Sequence, residues 1–104
     1  MHLDNIIAAI KANKIRWKRH ALNRMIERGI EIDEVLNAIK NGEIIEPYED
    51  ASPLPCYLIF GYGGNKPMHV VAAWDDIELI VYIITVYVPD ASQWHHDWRT
   101  RRGL

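Results

Sequence analysis

The run WKRHALNRMIER, residues 17–28, holds the side chains best suited to chemistry on a phosphodiester: His20, Arg24 and Arg28. Imidazole titrates nearest to neutrality and so suits proton transfer. Guanidinium presents a planar fork of donors that matches phosphate oxygens in pairs. At about 100° per residue along a helix, His20, Arg24, Glu27 and Arg28 fall within one quadrant, opposite Leu22, Met25 and Ile26. The same spacing also fits a plain solvated face on which Glu27 pairs locally with an arginine.

His69 is the second chemically capable residue, set among Met68, Val70, Val71, Ala72 and Ala73. A polar ring in such a strand must find a partner or face a cleft. A satisfied structural histidine is the plain alternative. Thr85 and Tyr87 are the polar groups near the end of the apolar run 78–88, and alternation puts both on one face. The connection after Trp74 decides whether His69 shares that face: an odd number of residues brings them together, an even number separates them. Asp75-Asp76 suits turns of several lengths, so the sequence leaves this open.

Other chemistries find little support. His2, His20, His69, His95 and His96 form no familiar metal-ligand spacing, and the adjacent pair in His95-His96-Asp97 would point about 100° apart on a helix. Neither a metal nor an organic cofactor is expected. Gly61-Tyr62-Gly63-Gly64 reads as a turn between strands rather than a phosphate loop opening a helix. No Gly-x-Ser-x-Gly elbow occurs. Cys56, the one cysteine, follows Pro55 at the start of an apolar run and reads as a buried small residue rather than a nucleophile. A lone thiol cannot staple the chain, which points to a reducing compartment.

Net charge is −2, so bulk charge makes no case for nucleic acid, but its distribution is uneven. Residues 11–28 hold seven basic side chains against Glu27 alone, and residues 29–50 hold seven acidic ones against Lys40 alone. Arg16, Lys18 and Arg19 at one end, with Arg99, Arg101 and Arg102 at the other, are the candidate RNA contacts. Trp94 and Trp98, interleaved with arginine, suit stacking on single strands. Solvated helix faces and a tryptophan pair docked on the sheet account for the same residues.

These residues must be positioned by one domain, since 104 residues with 49% apolar and 25% charged side chains suffice for a single core. Apolar spacing predicts helices over 3–13, 17–28 and 32–40, the second ended by Gly29 and the third by Asn41-Gly42. From residue 43 the period becomes that of a strand. EIIEPYE is an edge or short strand because of Pro47, 51–55 is a loop, and 56–62 and 67–74 are strands around a glycine turn. ELIVYIITVYV, 78–88, is apolar on both faces and should be the interior strand. Short connections predict antiparallel neighbours. The expected fold is α+β: two to three N-terminal helices on a three- to four-stranded antiparallel sheet, followed by a short C-terminal helix or tail. The opening MHLDNIIAAIKANK has no leader pattern, and the ten-residue run 79–88 is too short to span a bilayer as a helix, so a cytoplasmic location is expected.

RHALNRMIERGI (19–30), the Ile32–Gly42 helix, PMHVV (67–71), ITVYVPD (84–90) and the closing Trp94…Arg99 segment together resemble the domain-of-unknown-function family numbered 4258, over residues 17–102. The resemblance implies a RelE-like ribonuclease of the barnase/EndoU/colicin/RelE group: a cofactor-free bacterial toxin acting on RNA, including ribosome-associated mRNA. It also implies a small antitoxin partner with a zinc-finger end. By motif, the site carried over is His20, Arg24, Arg28, His69, Thr85 and Tyr87. His20 and His69 would transfer protons, Arg24 and Arg28 would hold phosphate, and Tyr87 or Thr85 would orient a group. The alternative is a non-catalytic protein- or RNA-binding module on the same fold.

Overall fold

The computed structural model describes residues 3–103, so His2 lies outside the described residues. In chain order the elements are α1 (Leu3–Lys11), β1 (Ile15–Trp17), α2 (Arg19–Arg28), α3 (Ile32–Lys40), β2 (Glu43–Tyr48), β3 (Cys56–Gly63), β4 (Lys66–Asp75) and β5 (Ile80–Tyr87). The strands make one five-stranded sheet in the order β1-β5-β4-β3-β2. β2 to β5 form an antiparallel meander, as the short connections predict.

β1 corrects the expectation of a wholly antiparallel sheet. It runs parallel to β5, pairing Ile15 with Val81 and Trp17 with Ile83. Three residues are too few to display an alternation, and Trp17 reads in sequence as the start of the next helix. β5 is interior, as its apolar character requires, and Pro47 sits on the edge strand β2.

All three helices cover one face, here called the near face. Ile6 of α1, Ala21 and Met25 of α2, and Val35 and Ile39 of α3 are buried with Ile59, Val70 and Ile83 of the sheet. Ile26, expected in the apolar stripe of α2, is 79% exposed. The helix seats its Ala21–Met25 line on the sheet, and Ile26 lies about 100° past Met25. Gly61 and Gly63 are strand residues rather than a turn. A Cβ on Gly61 would lie 1.9 Å from the Ala38 carbonyl oxygen, and one on Gly63 would lie 2.6 Å from that of Glu34. Their missing side chains let α3 lie directly on β3. The turn itself is Gly64-Asn65, with Gly64 at φ 65°.

Among the described residues, none forms a helix on the far face. Residues 89–102 cross it as a chain of turns pinned by a bridge between Trp94 and Arg101, so this segment is a tail rather than a helix. Asp97 Oδ1 accepts the backbone N–H groups of Arg99 and Thr100, a local arrangement that competes with a helical one. Those bonds, the Arg99 N–H first, hold the Asp97 carboxyl down to about 2. Among the described residues no helix is long and apolar enough to cross a membrane.

Candidate active site

A β-bulge assembles the site. At the turn end of the β4–β5 pair, Trp74 faces Val81 and Ala72 faces Ile83. Continued unchanged, that register would set His69 against Val86 and turn Tyr87 to the near face. One extra residue, Ile84, is accommodated between the Ala72–Ile83 and Val71–Thr85 pairs, and beyond it His69 faces Tyr87. His69, Val71, Thr85 and Tyr87 therefore share the far face. The sequence left this question to the turn; a bulge within the strand answers it.

His69 is fully buried there, under the strap of residues 89–102. Its Nε2 lies 2.7 Å from the Trp98 carbonyl oxygen and its Nδ1 3.1 Å from the Tyr87 hydroxyl. A carbonyl oxygen only accepts, so Nε2 carries the proton and the neutral ring accepts the Tyr87 O–H at Nδ1. Burial holds the His69 pKa below its usual 6.5, and burial likewise raises that of Tyr87 above 10.0. At neutral pH both groups are therefore uncharged: a phenol donates to a basic imidazole nitrogen whose other side is fixed by a carbonyl dipole. A nucleophile or acid, a base and an orienting acceptor stand in the same relation in triad enzymes. The Trp98 carbonyl is aimed by a backbone held at φ 60°, a left-handed conformation uncommon for a bulky residue.

Aromatic rings wall the imidazole. Trp94 meets it edge-on at 4.4 Å between centroids, and Phe60 at 5.8 Å. Outside them the strap is tied to β2. Arg101 makes two bonds to the Glu46 carboxylate, at 2.8 and 3.0 Å, and lies over Trp94 at 4.5 Å. Arg99 pairs with Glu43 and lies over Phe60 at 4.7 Å. Arg102 donates to the Ala91 carbonyl at 2.7 Å. The guanidiniums of Arg99 and Arg101, candidate RNA contacts in the sequence, are thus engaged within the fold. Trp94 is docked, as the plainer reading of the tryptophan pair holds.

Tyr87 also borders open space. An open cleft of about 540 Å³ is lined by Arg28, Tyr87, Val88, Asp90 and Gln93. Arg28 reaches it from the last turn of α2, donating through one nitrogen to the Val86 carbonyl at 2.9 Å. The Asp90 carboxylate on its rim is occupied by the Ser92 N–H, which lowers its pKa. Arg28, Tyr87 and, behind it, His69 thus meet, with Thr85 on the same face.

His20 and Arg24 do not join them. His20 is exposed near the start of α2, where the Lys18 N–H bonds the Ile83 carbonyl. That carbonyl lies four residues, roughly 13 Å, along β5 from Tyr87, the register partner of His69. α2 packs on the near face, and Arg24 lies 3.8 Å from Glu27. His20 is thus exposed on a helix of the near face, whereas His69 is buried under the strap on the far face. Sequence reasoning missed the contribution of Trp98, Trp94 and Glu46, since nothing local signals that a tail carbonyl would cap a strand histidine.

Arg16, Lys18 and Arg19 lie on β1 and at the start of α2, and among the described residues none of them forms an ion pair. No three His, Cys, Asp or Glu side chains gather as a possible metal site among the described residues.

No curated protein and no solved structure matches the chain. A family model does, over residues 17–88, which includes α2, α3 and the whole β2–β5 meander but stops short of the strap. The chain belongs to the family described as a domain of unknown function, DUF4258.

Proposed function

We propose that this protein is a metal-independent endoribonuclease, the toxin of a type II toxin–antitoxin pair, acting in the cytoplasm. Its reacting groups are Tyr87, His69 and Arg28. The observation that carries this reading is Tyr87, which lines an open cleft together with Arg28 while its hydroxyl donates to an imidazole locked as an acceptor. RNA is the substrate class because its 2′-hydroxyl supplies the nucleophile. As that hydroxyl attacks phosphorus, Tyr87 takes its proton and passes its own to His69 Nδ1. Arg28 offsets the charge that builds on the phosphorane oxygens. The 5′-oxygen leaves and takes a proton from water in the open cleft, and His69 returns its proton through Tyr87 to the hydroxide so formed, which restores both the water and the neutral pair. The toxin role, ribosome-associated mRNA as a target and an antitoxin with a zinc-finger end come from the family resemblance.

A second reading, a non-catalytic RNA- or protein-binding module, draws on one observation: His69 is 0% exposed and both ring nitrogens are bonded, as in a structural histidine. One experiment separates the two. Short RNA and a copy with a single 2′-deoxy residue at the scissile position are incubated with the protein in excess chelator. Cleavage of the RNA alone, giving a 2′,3′-cyclic phosphate and a 5′-hydroxyl, is the expected result. Equal cleavage of the deoxy copy, or abolition by chelator, contradicts the mechanism. Binding without cleavage establishes the module instead.

A further inference from the structure

The strap covers only part of the far face. Across the sheet, Tyr48, Cys56, Ala73, Tyr82 and Arg16 form a row connected by register, so their side chains share this face. The row lies at the end away from His69. A trough of about 390 Å³ opens over it, with Cys56, Ala73, Tyr82 and Ile84 as apolar floor and the loop Ser52–Leu54 as one rim. Lys18 lines the other side, its Nζ 5.4 Å from the centre of the Tyr82 ring.

We propose that this trough is a subsite for one unpaired base of single-stranded RNA, packed against Tyr82, with the adjoining phosphates on Arg16 and Lys18. Three observations converge on that occupant. The trough offers an aromatic ring and apolar walls, which accept the face of any base. Both cations at its edge lack an ion-pair partner among the described residues. The first turn of α2 holds no acidic residue; it starts at Lys18, which makes no side-chain cap, and continues with Arg19 and His20. Basic groups at the positive end of a helix dipole oppose folding, and a polyanion laid there relieves the repulsion. β5 connects the trough to the proposed reaction centre: Tyr82, Thr85 and Tyr87 follow one another along its far face over roughly 16 Å. A strand of RNA along β5 would place a base in the trough and a phosphodiester at Tyr87.

This inference rests on the reading of the protein as one that acts on RNA, and not on the cleavage step. Its test uses the full chain and a short labelled RNA whose 2′-hydroxyls are all methylated, so that cleavage does not enter. Binding is followed by anisotropy over a range of salt. Tyr82→Ala should weaken binding roughly ten- to a hundredfold, and Tyr82→Trp should retain it. Removing one base from the RNA, leaving the abasic sugar, should reproduce the Tyr82→Ala loss in the wild type. Lys18→Gln and Arg16→Gln should each lower the slope of log affinity against log salt by about 0.7. Duplex RNA should compete poorly. Should Tyr82→Ala fail to fold, the abasic RNA and the salt slopes decide. The subsite is overturned if the wild type does not bind, if the abasic strand binds as well as the intact one, or if a folded Tyr82→Ala protein keeps its affinity. Base-dependent binding with no cleavage of ordinary RNA would remove the catalytic proposal alone. Cleavage with no dependence on Tyr82 or on the base would remove the subsite alone.

Discussion

The two faces of the sheet are built by different means. The near face is closed by three helices over aliphatic side chains, and its closest approach, α3 on β3, depends on Gly61 and Gly63 having no Cβ. The far face is closed over only part of its area, by a strap without helix or strand. Its core contains an imidazole, and two arginine–carboxylate pairs tie it down. Burial of apolar surface is indifferent to direction, so the near face can be made of interchangeable aliphatics. A buried imidazole tolerates one arrangement of partners and no other. Stability is therefore concentrated on one side of the sheet, and chemical specificity on the other.

The sharpest way to break this contrast is to place a charge on each face. Val35→Asp, at a position with no exposure, buries an unpaired carboxylate and should leave the protein unfolded by circular dichroism. Thr85→Asp, on the partly open far face, should leave it folded. Gly61→Ala comes next: its methyl would meet a backbone oxygen that cannot turn aside, so α3 must lift from β3. A loss of several kcal/mol, about 3 or more, is expected in urea unfolding.

His69 itself is expected to matter less to stability than either. His69→Phe keeps a ring in place but strands the Trp98 carbonyl and the Tyr87 hydroxyl, at a cost of roughly 2–3 kcal/mol. It should also change the response to pH. The folded-state pKa of His69 lies below 6.5, so the unfolded chain binds the proton more readily. Its contribution is then fully present above pH 6.5 and is lost as pH falls through the depressed folded value. Thermal melts across that range should show a decline in the wild type that is smaller in His69→Phe. The smallest effect belongs to the strap's outer ties. Arg99→Ala removes a half-exposed pair with Glu43 and should shift stability by no more than about 1 kcal/mol.

The near face was legible in the sequence because its signals are local. The spacing of Ile32, Val35, Leu36 and Ile39, the glycine at position 29 and the apolar run of β5 each declare an element within a few residues, although Ile32 ends up exposed and Ala38 takes a place in the core. The far face resisted because its decisive features are not local. The parity of His69 and Tyr87 depends on one bulged residue, Ile84, and no residue type marks a bulge. The cap on His69 comes from a backbone carbonyl 29 positions away, and any residue carries a carbonyl. His20, Arg24 and Arg28 looked equivalent on a helical projection. Only tertiary packing distinguishes Arg28, which ends beside Tyr87, from the other two.

The central claim is that reaction chemistry resides in the Tyr87–His69 pair and not in the exposed histidine of α2. Single-turnover cleavage of RNA by Tyr87→Phe and His20→Ala, each checked to be folded at the assay temperature, tests it most directly. The account predicts a loss of about a hundredfold or more for Tyr87→Phe, in the range of a removed proton-transfer group. It predicts a change of no more than a few-fold for His20→Ala, and a wild-type rate that rises with pH to a plateau beginning below 6.5, where His69 becomes neutral. A Tyr87→Phe enzyme of wild-type rate beside an inactive His20→Ala enzyme would contradict it.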